Sequence, residues 1–125
     1  MSRILIIDDD DTIRDVLVEY FDSMGYDVME ATNGRVALEK QMENPADLVI
    51  TDLIMPEENG LETILELQNH YPYLKIIAMT GSGHFGALED LKTASFMGAH
   101  RTFSKPFHLE DMLQAVEELL NNSDM

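Results

Sequence analysis

The chain has 125 residues, 24 acidic and 8 basic side chains, a formal charge of −16 and no cysteine. That length suits one domain with a single core, and the charge repels phosphate backbones and anionic membrane surfaces, so neither nucleic acid nor membrane is an expected partner. Without cysteine there is no disulfide framework, thiolate metal site or thiol nucleophile, and an apolar share of 45% is too high for a disordered acidic tail.

The first apolar run, Arg3–Ile7, reads as a strand and ends on four aspartates, Asp8 to Asp11. Two like charges about 4 Å apart repel by roughly 4 kcal/mol at an effective dielectric near 20. Such a cluster calls for solvent, a helix N-terminus, a cation or a basic partner. Asp10 or Asp11 suits the N-cap of the following helix, whereas Asp8 and Asp9 come too early for that role. The helix carries Ile13, Val16, Leu17, Tyr20, Phe21 and Met24 at core-facing spacing and stops at Gly25.

Tyr26–Glu30 is a more polar strand, suited to a sheet edge, and a second helix runs from Asn33 to just before Pro45. Asp47–Thr51 is a third strand, apolar through Leu48, Val49 and Ile50. Asp52 follows it, then Leu53-Ile54-Met55-Pro56 and the turn signal Asn59-Gly60. A third helix starts at Leu61 and ends before Pro72. Leu74–Met79 is a fourth strand, leading into Thr80 and Gly81-Ser82-Gly83. A fourth helix spans from about Gly86 to Gly98. Arg101–Ser104 is a second polar strand, ending at Lys105-Pro106. The last helix begins at Leu109, places Met112, Leu113, Val116 and Leu120 on one face, and fades into the polar tail 121–125.

Five strand–helix units predict an α/β fold with a parallel sheet and right-handed crossovers. Continuously apolar strands are covered on both faces, so the first, third and fourth are central. Placing the second and fifth at the edges gives the doubly wound, flavodoxin-like order 2-1-3-4-5. One domain over residues 1–125, with no output domain, is expected.

In such sheets ligands bind beyond the carboxyl ends of the strands, where strand order reverses. That crevice would gather Asp8 and Asp9, Asp52, Thr80 with Gly81, and Lys105 with Pro106. Asp52 alone could be a polar strand end, Lys105 an ordinary ion-pair partner, and Thr80 a helix cap. Together the carboxylates offer an all-oxygen site for a hard divalent ion such as magnesium (or manganese). Asp52 could then act as an oxygen nucleophile, Lys105 reach it, and Thr80 and the Gly81 backbone approach a phosphoryl group. His70, His84, His100 and His108 show no ligand spacing and read as surface residues.

These segments resemble the receiver domains of two-component response regulators, chemotaxis-type single-domain receivers included. The resemblance rests on Ile4-Leu5-Ile6-Ile7-Asp8-Asp9-Asp10, Asp52-Leu53-Ile54-Met55-Pro56 with Gly60-Leu61, Ile76-Ile77-Ala78-Met79-Thr80-Gly81, and Gly98-Ala99 with Lys105-Pro106-Phe107. It spans essentially residues 3–120. It implies Asp52 as phosphoacceptor, Asp8, Asp9, Asp52 and the Ile54 carbonyl around Mg2+, Thr80 and Lys105 as phosphoryl ligands, and a cis Lys105–Pro106 bond. It also implies that Ile54 and Ser82 tune hydrolysis, with Ile54 hindering the attacking water.

Two departures from the family pattern stand out: the residue at the aromatic position, and a loop, Gly81–Gly86, that holds three glycines within a stretch up to Gly98-Ala99 a few residues longer than in chemotaxis-type receivers. Thr102 occupies the position where receivers usually carry the aromatic partner of the threonine, and Phe103, one residue on, points to the opposite face. Readout is therefore expected from the glycine-rich loop Gly81–Gly86 and the fourth helix, with His84–Leu88 changing conformation on phosphorylation.

The expected function is a phosphoacceptor module of a phosphorelay, a regulatory protein and not an enzyme. Its donor would be a sensor histidine kinase or a histidine phosphotransfer protein. The downstream target would dock on the fourth helix, fifth strand and fifth helix. The alternative is a Mg2+-dependent phosphohydrolase with an aspartyl-phosphate intermediate, although Ile54 stands where haloacid-dehalogenase-like enzymes need a second aspartate. Residues 1–7 are too short for a signal peptide and no apolar run is of membrane-spanning length, so a cytoplasmic location is expected.

Overall fold

A computed structural model describes residues 2–55, 58–81 and 87–121. In chain order the elements are β1 (Arg3–Ile7), α1 (Asp11–Ser23), β2 (Asp27–Ala31), α2 (Gly34–Glu43), β3 (Leu48–Asp52), β4 (Ile54–Met55), β5 (Glu58–Asn59), α3 (Gly60–His70), β6 (Lys75–Gly81), α4 (Ala87–Met97), β7 (Arg101–Lys105) and α5 (Leu109–Asn121). Five parallel strands form one sheet in the order β2-β1-β3-β6-β7. Counting only those strands, this is the expected 2-1-3-4-5.

Alternation along the buried strands splits the core in two. Leu5, Ile7, Val49, Ile76 and Ala78 face α2, α3 and α4, where Ala37, Ile64, Leu67, Leu91 and Ala94 meet them. Ile4, Ile6, Leu48, Ile50, Ile77 and Met79 face α1 and α5, against Leu17, Phe21, Met112, Val116 and Leu119. Each fully buried Leu or Ile contributes roughly 1.5–3 kcal/mol, which is why the central strands carry almost no polar side chain before their carboxyl ends. The strand order follows from the same pattern. β3 is wholly buried, as are β1 beyond Arg3 and β6 between its two end residues, while β2 and β7 keep partly exposed positions suited to edges.

Local signals set the ends of the elements. Asp10 is the N-cap of α1, its carboxylate accepting from the Thr12 and Ile13 N–H groups, and Asp11 sits in the first turn. Gly25 closes the same helix at φ +95°, a conformation costly for any residue with a Cβ. Asn33 and Asn59 cap α2 and α3 in the same way as Asp10 caps α1.

Several boundaries differ from the sequence expectation. β3 runs on through Asp52, β6 through Thr80 to Gly81 and β7 to Lys105, because each extra residue finds a parallel partner: Asp52 opposite Met79, Thr80 opposite Ser104, Gly81 opposite Lys105. β2 is shifted one residue later, to Asp27–Ala31, since the Tyr26 N–H donates to the Phe21 carbonyl and belongs to the end of α1. α3 begins at Gly60, one residue early. The antiparallel pair β4–β5 was not foreseen; it joins Ile54 to Asn59 and Met55 to Glu58 and shapes the turn after Asp52. The predicted start of the fourth helix at Gly86, together with Ser82, His84 and most of the glycine-rich loop, lies outside the described residues.

Candidate functional site

The carboxyl ends of β1, β3, β6 and β7 converge on one crevice. Asp8 follows β1 and is fully buried. Its N–H donates to the Ala31 carbonyl at 3.2 Å, continuing the ladder to β2. One carboxylate oxygen accepts from the Asp10 N–H at 2.9 Å and the other from Lys105 Nζ at 3.0 Å. Asp9 is exposed.

Asp52, at the end of β3, is 5% exposed. It accepts from the Ile54 N–H at 3.3 Å and from Lys105 Nζ at 3.4 Å. Oxygens of Asp8, Asp9 and Asp52 all lie within 4.8 Å of one another. Burial, then repulsion from Asp8, pushes the Asp52 carboxyl up to about 6, although Lys105 and the Ile54 N–H act the other way. Burial disfavours the Lys105 ammonium, but Asp8 and Asp52 outweigh that and hold its pKa above the usual lysine value.

Thr80 is fully buried, and its Oγ1 has no hydrogen-bond partner among the described residues. An unpaired buried hydroxyl costs about 1–3 kcal/mol, and such groups concentrate where a ligand supplies the partner. Beside it, a Cβ at Gly81 would meet no atom within 4 Å. Packing among the described residues therefore does not demand a glycine there.

Gly60 is the reverse case. A Cβ there would sit 2.6 Å from the Leu53 Cα and 2.7 Å from the Asp52 carbonyl oxygen. Its N–H donates to the Leu53 carbonyl at 3.0 Å, so the start of α3 presses directly on the backbone that carries Asp52. The sequence reading took this glycine as a turn signal and missed that support.

Arg14 was missed altogether. It is 8% exposed, and its guanidinium donates to the Asp8 carbonyl at 2.7 Å, to Asp11 at 2.5 Å and to Glu30 at 2.9 Å. The available signal was a lone arginine within the first turn of a helix that opens on a carboxylate run.

Thr102 pairs with Ala78, and Phe103 packs among the α1 and α5 side chains with its ring 5.7 Å from Phe107. The aromatic ring thus lies on the α1–α5 side of β7, as alternation requires. The Lys105–Pro106 peptide is cis, as the resemblance implied. The described histidines His70, His100 and His108 are all exposed, as expected, and His100 also makes a specific backbone contact: its Nδ1 accepts from the Ile76 N–H at 3.1 Å. An apolar groove of about 570 Å3, lined in part by Ile13, Val16, Pro106 and Phe107, opens beside Lys105. No helix among the described residues is long and apolar enough to cross a membrane.

An oxygen-only cluster bridged by a lysine, at the ends of adjacent parallel strands, has the donor chemistry of a site for a hard divalent ion and an anionic oxygen ligand. Comparison with known proteins agrees with that arrangement. The profile of the response regulator receiver domain matches residues 4–117. The chain is 36% identical over 120 residues to the response regulator receiver protein CpdR of Brucella abortus, covering 96% of this chain and 98% of that protein. It is 34% identical over 122 residues to the DNA-binding transcriptional regulator NtrC of Azospirillum brasilense, covering 98% of this chain but 25% of that protein. The crystal structure of a response regulator receiver domain protein from Clostridium thermocellum superimposes with a TM-score of 0.90 at 28% identity, covering 99% of this chain and 98% of that one. The chain belongs to the response regulator receiver domain family, regulatory modules of two-component signalling.

Proposed function

We propose that the protein is the phosphoacceptor of a two-component phosphorelay, with Asp52 taking a phosphoryl group from a phosphohistidine. A carboxylate oxygen of Asp52 forms the new P–O bond as the P–N bond to the donor imidazole breaks, and the imidazole leaves with the bonding electron pair. Asp52 must be ionised to attack. With its pKa near 6, it is mostly ionised at neutral pH yet remains more basic than an exposed aspartate.

Lys105 then exchanges one of its carboxylate contacts for a phosphoryl oxygen. The Thr80 hydroxyl donates to a second oxygen, and the Gly81 backbone approaches a third. Asp8, Asp9, Asp52 and the Ile54 carbonyl would hold Mg2+ or Mn2+, which when bound neutralises charge on the phosphoryl oxygens. Positioning and charge neutralisation are what phosphoryl transfer requires of a protein.

The donor would be a sensor histidine kinase or histidine phosphotransfer protein, approaching past the groove beside Lys105. The phosphorylated state would be read by a protein target on the face of α4, β7 and α5. With Phe103 turned away from α4, the readout falls to the segment between Thr80 and α4.

The observation that carries the reading is the Lys105 bridge between the Asp8 and Asp52 carboxylates, with the buried Thr80 hydroxyl, unpartnered among the described residues, at the end of the neighbouring strand. Incubation with acetyl phosphate and Mg2+, followed by intact-mass measurement, tests it. One added phosphoryl group that is lost in Asp52→Asn supports the proposal. Sustained turnover of varied phosphate esters would favour the phosphohydrolase instead.

A further inference from the structure

The peptide between Asp8 and Asp9 joins the two aspartates that follow β1, and Arg14 holds its carbonyl. The guanidinium reaches that oxygen at 2.7 Å from the first turn of α1 while two carboxylates pin its other nitrogens: Asp11 on α1 and Glu30 on β2. Glu30 is itself fixed, since Lys40 of α2 donates to its carbonyl and Glu30 pairs with Ile6 in the sheet. The anchor therefore runs from α2 through β2 to α1 and ends on one peptide plane. Rotation of that plane would swing the Asp8 and Asp9 carboxylates relative to each other and to Asp52.

Arg14 touches none of the three carboxylates that cluster in the crevice. Its three acceptors are a main-chain oxygen and two acids outside the cluster. Its partners also hold it strongly cationic: the hydrogen bonds to Glu30 and Asp11 raise its pKa above the ordinary arginine value against the cost of burial. A planar fork with several donors suits this task, because it meets acceptors in fixed directions and cannot lose its proton.

We infer that Arg14 is a positioning residue for divalent-cation binding: it locks the Asp8–Asp9 peptide so that both carboxylates face the same point as Asp52. The inference rests on the reading of that cluster as a cation site. By charge alone, removing a cation near an acidic cluster strengthens Mg2+ binding. By positioning, the same removal weakens it, because groups that orient metal ligands typically account for about 10–100-fold in affinity.

The test is calorimetric titration of the unphosphorylated protein with Mg2+, with the fold checked by circular dichroism and thermal melting. Arg14→Met is expected to raise the dissociation constant by about tenfold or more. Arg35→Met removes the same charge from an exposed pair with Glu39 on α2 and is expected to bind as the wild type or slightly tighter. Arg14→Lys, with the charge kept but the fork lost, should stay weak. Glu30→Gln, which loosens the anchor and leaves Arg14 in place, should weaken binding in the same direction to a smaller extent, and it carries the test if Arg14→Met fails to fold.

Variants that melt lower yet bind Mg2+ as tightly as the wild type would make Arg14 merely structural and overturn the inference. Full rescue by Arg14→Lys would overturn it too, by assigning the effect to charge. A wild-type protein that takes up no Mg2+ would sink the cation-site reading itself, and the inference with it.

Discussion

Lys105 Nζ lies 3.0 Å from Asp8 and 3.4 Å from Asp52, so the lysine bridges the two buried carboxylates and sits slightly nearer the one that is not the proposed phosphoacceptor. It occupies the charge deficit that a divalent ion would otherwise fill, and the two cations compete for the same oxygens. Lys105→Met should therefore tighten Mg2+ binding, by about tenfold if one such contact is worth roughly 1.4 kcal/mol. It should also destabilise the metal-free protein by roughly 1–3 kcal/mol, because the carboxylates lose their partner. Calorimetry and melting curves in EDTA and in Mg2+ check both, and weaker Mg2+ binding in the variant would contradict the competition.

The position of Asp52 gives the protein a signed pH dependence. Its folded-state pKa of about 6 lies above the usual carboxylate value of 3.8. Its protonated form is therefore the one the fold tolerates better. Without divalent ions, that contribution is fully present below about pH 4 and is lost as pH rises through 6, on the order of 3 kcal/mol in all. Asp52→Asn does not titrate, so its stability relative to wild type in EDTA should increase across that window. A difference that stays flat from about pH 4 to 7 would count against the raised pKa.

Thr80→Val keeps the shape and removes the orphaned hydroxyl. Unfolding by urea should show unchanged or higher stability, by up to about 1–2 kcal/mol. The response to the phosphoryl mimic beryllofluoride should be weakened, read as smaller amide shift changes by NMR. A variant that loses stability while responding fully would reverse both assignments.

Ile54 is 44% exposed, two residues beyond Asp52. In the proposed aspartyl-phosphate, a branched apolar side chain two residues on would screen the approach of water, whereas a polar side chain could orient it. Ile54→Asn should therefore shorten the lifetime of the aspartyl-phosphate, followed by mass spectrometry after removal of the phosphodonor. An equal or longer lifetime would remove Ile54 from the control of hydrolysis.

His100 holds the start of β7 to β6, its neutral ring accepting the Ile76 N–H at Nδ1 and its backbone N–H donating to the Ile76 carbonyl at 2.7 Å. Burial, with Lys75 nearby, lowers its pKa below the ordinary histidine value. Stability from this contact is present above the unfolded histidine pKa, near 6.5, and lost as pH falls below it. His100→Ala should therefore cost more stability at about pH 7.5 than at about pH 5, and equal costs at the two would place the histidine outside the ladder.

The sequence by itself determined the fold class and the candidate residues at the carboxyl ends of the strands. Apolar runs of strand length, stripes at helical spacing and glycine or proline stops mark each element, because burial on one or both faces dictates their composition. From Ile4–Ile7, Leu48–Ile50 and Ile76–Met79 the central strands follow, and with them the switch point that gathers Asp8, Asp9, Asp52, Thr80 and Lys105. The turn of Phe103 away from Thr102's face was legible for the same reason, since strand alternation has a fixed period.

Only the tertiary structure decided what each charge does. Whether Asp10 or Asp11 caps α1 depends on which carboxylate reaches the free N–H groups, and Asp11 instead meets Arg14. That Lys105 bridges Asp8 to Asp52, that Thr80 keeps a hydroxyl unpaired among the described residues, and that Gly60 presses on the Asp52 backbone all depend on register and on approaches of a few ångströms. Arg14 marks the boundary most clearly: a charged side chain carries no periodic signal, so its place under the acidic run emerges only when β1, β2 and α1 are packed together.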